Sequence, residues 1–172
     1  MRTRTSSFPL TASASACALL LALTLTACGD DGESLPAAAN TEGVAAYLNE
    51  NLSCVDPDYF DDDEMSVIQA QVSGAVDGGG ECDLDEDSDI DFLHITNMKQ
   101  FQKDVAASGE SGESPLLVGM NFALDVDRES AVRSLLDNGL MLLDCEPGMQ
   151  TPQQYKRVEA EAGCVLTNYV RE

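Results

Sequence analysis

The chain has no tryptophan, one histidine, and only nine lysines and arginines among 172 residues. Each shortage removes a class of function. Without tryptophan, and with only four tyrosines and five phenylalanines, a sugar-stacking cleft for glycoside hydrolysis is poorly supported, although carboxylates abound. The lone His94, between Leu93 and Ile95, reads as a packed or half-exposed strand residue. A nucleophilic triad would need a partnered nucleophile, and Gly109-Glu110-Ser111-Gly112 departs from the G-x-S-x-G elbow. No two cysteines are spaced C-x-x-C, which together with a single histidine disfavours a zinc site. Lysine and arginine are too sparse to grip phosphates, so nucleic acid is not an expected partner. No catalytic motif stands out, and the chain reads as a non-enzyme.

Two further patterns are missing. The apolar stretch from about Ala16 to Thr26 falls short of the ~20 residues that span a bilayer. Arg2 and Arg4 are separated by Thr3, which breaks the twin-arginine export pattern.

What is present begins with a short basic segment, that apolar stretch, and then Leu25, Thr26, Ala27 and Cys28. In this order they resemble the signal and lipobox of a bacterial lipoprotein. The resemblance implies cleavage before Cys28, a diacylglyceryl (palmitoyl-type) graft on its sulfur, and a domain held on the extracytoplasmic face of the cell membrane. Two acyl chains anchor durably, since each buried methylene contributes about 0.8 kcal/mol. The alternative, an ordinary secretory signal cut near Ala37 to Ala39, lies too far beyond the apolar run to compete well. Residues 1–27 are thus expected to be a signal peptide, 28–40 an acidic flexible tether, and 41–172 one domain.

The part beyond residue 27 carries seven cations against 31 carboxylates, a net charge of −24. Such a surface repels anionic headgroups, leaving the acyl anchor as the membrane contact, and attracts cations or basic extracytoplasmic proteins. Cys17 leaves with the signal and Cys28 takes the lipid, so Cys54, Cys82, Cys145 and Cys164 remain, an even number suited to an oxidising compartment. Three connectivities are open. Sequential pairing, Cys54 with Cys82 and Cys145 with Cys164, closes the shortest loops.

Val44, Tyr47, Leu48 and Leu52 recur at helical spacing after Asn40 and Thr41, and predict a first helix. Met65, Ile68 and Val72 follow the acidic run at 61–64 and suit a second helix, although Ser66, Ile68, Ala70 and Val72 also alternate as in a strand. Gly78 to Gly80 should break the pattern before a hairpin of 81–85 and 89–96. Asn97 predicts a helix start and Gly109 its stop. Leu116, Val118, Met120, Phe122, Leu124 and Val126 occupy every second position, as in one long strand, with Asp127 capping the helix that follows. Leu140 to Leu143 reads as a strand, 152–163 as a last helix bearing Tyr155 and Val158, and 165–170 as a short strand. The expected fold is α+β: a small mixed sheet, a hairpin followed by strand-helix-strand steps, with helices packed on it and two disulfides. The order, with Cys54, Cys82 and the Gly119-Met120-Asn121-Phe122 segment, resembles small exported α+β proteins of high-GC Gram-positive bacteria, which implies no particular activity.

Asp83, Asp85, Asp87, Asp89 and Asp91 alternate without interruption and offer the oxygen ligands calcium takes. The EF-hand pattern fails on this run: a start at Asp83 puts Ser88 and His94 where glycine and glutamate belong. A solvated acidic hairpin that discourages edge pairing is the leading expectation, with a weak calcium site as the alternative. No other cofactor is expected. The functional expectation is a membrane-anchored binding or structural module, with a calcium-responsive module and a carboxylate-based hydrolase as alternatives.

Overall fold

A computed structural model describes residues 34–85, 88–109 and 116–171. The signal sequence and Cys28 lie outside them, as do Asp87 and the side chain of Asp85. Among the described residues the fold is α+β, four helices and an eight-stranded sheet.

The helices start where short polar side chains take up free backbone N–H groups. Asn40 accepts from the Gly43 N–H and opens α1, Thr41–Leu52; Ser53 closes it in the left-handed region. Asp61 and Glu64 form a reciprocal capping box at the head of α2, Asp62–Gln71, resolving its helix-or-strand ambiguity toward helix. Asn97 accepts from the Gln100 N–H at the start of α3, Met98–Ser108, and Gly109, at φ 74°, ends it. The last helix, α4, spans Glu129–Asp137; Arg128, not Asp127, stands at its N-cap, with no side-chain cap bond.

The strands are β1 Asp58–Tyr59, β2 Val76–Asp85, β3 Ser88–Ile95, β4 Leu116–Val118, β5 Phe122–Val126, β6 Met141–Asp144, β7 Arg157–Glu159 and β8 Val165–Thr167. Their order is β1-β2-β3-β5-β4-β6-β8-β7, with each neighbouring pair antiparallel, where a mixed sheet was expected. The two strand-helix-strand steps do join parallel strands, β3 to β4 and β5 to β6. In each case one antiparallel strand is inserted between them. Because β3 and β5 run in opposite directions while both steps move the same way across the sheet, the right-handed crossover rule sends α3 and α4 to opposite faces.

Both faces therefore acquire a core. On one, Val44 and Leu48 of α1 and Val132 and Leu135 of α4 cover Ile90, Phe92, Leu124 and Val126. On the other, Phe101 of α3 packs with Val76, Ile95, Val118, Ala123 and Leu143, and Met65 and Ile68 of α2 rest against them. Each fully buried Val, Leu, Ile or Phe among them contributes about 1.5–3 kcal/mol. The disulfides are Cys54–Cys82, tying the end of α1 to β2, and Cys145–Cys164, tying the end of β6 to the start of β8.

Three expectations give way. The alternating run 116–126 is two strands joined by a tight turn, in which the Gly119 N–H donates to the Phe122 carbonyl; a Cβ on Gly119 would strike the Phe122 ring and the Pro36 carbonyl. Gly78, Gly79 and Gly80 do not break a strand but lie within β2, where a Cβ on Gly80 would overlap the Asp58 carbonyl and the Phe92 ring. Residues 152–163 form no α-helix. They make a turn, β7 and a short 3-10 turn at Glu161–Gly163, with Tyr155 and Val158 exposed instead of buried on a helix face.

The N-terminal approach also differs from free chain. Pro36 accepts from the Met120 N–H at 2.7 Å, and the Ala38 N–H and carbonyl both bond the Asn121 side-chain amide, at 2.9 and 2.6 Å. Ala38 is buried.

Candidate functional site

Strand pleating puts residues i and i+2 on one face, so Asp89 and Asp91 of β3 share a side while Ile90 and Phe92 fill the core beneath. Sheet register extends this row beyond the hairpin. Asp58 of β1 pairs with Glu81 of β2, Glu81 with Asp91 of β3, and Asp91 with Asp125 of β5. Four carboxylates thus lie in register across four strands. Beside them Asp83 pairs with Asp89. Asp89, Asp91, Asp125 and Asp127 line a hollow of about 220 Å³, and Asp56, Pro57, Asp58, Glu81 and Asp83 line one of about 350 Å³. The result is an acidic plate.

Like charges directly opposite one another across strands are unfavourable. The strain is focused on Asp91, whose carboxyl is pushed up to about 6 by partial burial first and then by Asp89, Asp125, Glu81 and Asp127. Of the five expected ligands, Asp83, Asp89 and Asp91 belong to this plate; the Asp85 backbone pairs with Ser88. Among the described residues, no group of three or more histidine, cysteine or acidic side chains is placed to hold a metal ion. Sequence reading missed Glu81, two residues before Asp83 on β2, and the part of the plate that comes from β1 and the end of β5, Asp58, Asp125 and Asp127. Only pairing register brings it there.

His94 is buried on β3 with both ring nitrogens engaged. Its Nδ1 lies 2.5 Å from Asp77 Oδ1 and its Nε2 3.1 Å from Asn121 Nδ2. The Asn121 amide nitrogen must donate, so Nε2 accepts and the Nδ1 proton points to Asp77. The imidazole thereby orients the amide that holds Ala38. Each nitrogen already has a structural partner.

A third concavity, about 780 Å³, lies between α4 and the C-terminal segment and is lined by Asp137, Gln154, Tyr155, Asn168 and Tyr169, with Arg133 and Arg171 at its sides. The two tyrosine rings are 4.8 Å apart and inclined at 47°.

Comparison with family models, with curated proteins and with solved structures finds no match. The site has to be read from its own chemistry.

Proposed function

We propose that the chain is an exported lipoprotein, anchored through Cys28, whose domain is a binding module that presents its acidic plate to a cationic partner. The observation that carries the reading is the in-register row Asp58, Glu81, Asp91 and Asp125. A sheet that stacks carboxylates across strands holds electrostatic energy that an opposing row of lysine or arginine side chains relieves. The exposed charge also steers such a partner, with an association rate that falls as salt rises. The partner class is a basic, extracytoplasmic protein segment.

The experiment is calorimetric titration of the mature domain with an oligolysine peptide at low ionic strength. Binding by the native protein, weakened at least about tenfold when Glu81, Asp91 and Asp125 are all changed to their amides, supports the reading. Equal binding by both proteins removes it. Mass spectrometry of the membrane-extracted protein tests the anchor: an acylated Cys28 at the new N-terminus is expected, and an intact Met1 contradicts it.

A calcium-responsive module is the second reading, favoured by the hollow that gathers four aspartates. Calcium takes six to eight oxygen ligands, and these aspartates would have to draw together around the ion to supply several, since no three acidic side chains among the described residues are placed to hold a metal. No calorimetric heat at millimolar calcium would dismiss it.

A further inference from the structure

We propose that the cavity between α4 and the C-terminal segment binds a neutral oligosaccharide. Its volume, about 780 Å³, falls within the roughly 300–1,000 Å³ typical of small-molecule sites. Two of the chain's four tyrosines meet there, Tyr155 from the loop before β7 and Tyr169 from the segment after β8, with Tyr155 38 % exposed. The pair supplies the aromatic surface that the sparse aromatic content had argued against, and a tyrosine ring suits the C–H side of a pyranose as its hydroxyl suits the rim. Around them stand Asp137, Gln154 and Asn168. Asn168 Oδ1 accepts from the Lys156 N–H at 2.7 Å, which leaves the amide protons for a ligand oxygen. Together these groups supply donors and acceptors in the mixed pattern that sugar hydroxyls, each both donor and acceptor, require.

Charge decides between a sugar and an anion. The two arginines at the cavity are answered within the chain: Arg133 Nε and Nη2 donate to Glu129 Oε1 at 3.0 and 2.6 Å, and Arg171 binds Asp144 and Glu146. A phosphate or carboxylate would find no surplus positive charge, and would approach against the field of 31 acidic residues. The polar lining suits a lipid chain no better. A neutral polyol meets neither penalty. The site shares no lining residue with the acidic hollows and does not depend on the plate's role.

The test is amide chemical-shift mapping of the isotopically labelled mature domain with three neutral trisaccharides, cellotriose, maltotriose and chitotriose, and with a sulfated trisaccharide and inorganic phosphate alongside. At least one neutral trisaccharide is expected to shift Tyr155, Asn168 and Tyr169 with a Kd of about 0.1–5 mM. Tyr155→Ala and Gln154→Ala, both at exposed positions, are expected to weaken binding at least about fivefold. No shift at these residues up to about 50 mM of any neutral sugar, unaltered affinity in both variants, or tighter binding of the sulfated sugar or phosphate would each overturn the proposal.

Discussion

Asp91 and Asp125 stand directly opposite each other on adjacent strands, two carboxylates where a sheet ordinarily places complementary or neutral side chains. That relationship, repeated toward Glu81 and Asp58, is unfavourable for folding and so points to a use outside folding. It also makes stability readable as electrostatics.

Replacing Asp91 by asparagine should stabilise the domain at pH 7 and above. The folded carboxyl is raised from 3.8 to about 6, so the native state binds the proton more tightly than the unfolded chain. The resulting destabilisation is complete above about pH 6 and disappears as the pH falls below 3.8. Urea unfolding should show Asp91→Asn more stable by about 1 kcal/mol at pH 7.5, a figure discounted for a half-exposed group, with the gain gone at pH 3.5. A constant difference across this range would remove the electrostatic explanation.

Salt should raise the melting temperature. Screening weakens repulsion between exposed charges, with a Debye length near 10 Å at about 0.1 M and 3 Å at 1 M. Calorimetric scans from low to about 0.5 M sodium chloride should show a rise of several degrees, and a variant with Glu81, Asp91 and Asp125 amidated should show a smaller one. Identical salt slopes would mean that the plate does not set them.

Asn121→Ala should free the strap at 36–38 while sparing the sheet. It removes both hydrogen bonds to Ala38 and leaves that buried residue's N–H and carbonyl without these partners, while the Pro36–Met120 bond remains, a loss of about 1–3 kcal/mol. Hydrogen exchange at Ala38 should quicken well beyond that at Phe92 in the core. Unchanged protection of Ala38 would show that packing alone holds the strap.

Gly80→Ala should be the most damaging single methyl in the hairpin. The added carbon meets the Asp58 carbonyl and the Phe92 ring, so β1 must move off β2 or Phe92 must leave its place, at about 1–3 kcal/mol. Gly74→Ala is the comparison: nothing lies near its Cβ, and the cost there is that of a positive φ alone. Equal losses at the two positions would contradict a packing origin.

The readable parts of the sequence were those governed by neighbours. Asn40 and Asn97 announced helix starts, Gly109 a stop, and the even remainder of four cysteines paired sequentially, because caps and short loops are local. The every-second spacing of Asp89 and Asp91 was also visible, and it sets them on one face of β3. Their partners Asp58, Asp125 and Asp127 were invisible as a group, since strand pairing joins residues far apart in sequence. The same holds for Asn121 and Ala38, separated by 83 positions, and for the Tyr155–Tyr169 pair, formed where a helix was expected. Tyr155 and Val158 imitated a helix stripe by spacing, but Val158 stays exposed on β7 and Tyr155 packs only partly, against Tyr169.

Chemical-shift mapping of the protein beyond residue 27 with an oligolysine peptide separates a defined acidic plate from diffuse surface charge. Perturbations should concentrate at Asp58, Glu81, Asp91 and Asp125 and fade as salt is raised. Shifts spread evenly over all surface carboxylates, or centred away from these four strands, would contradict it.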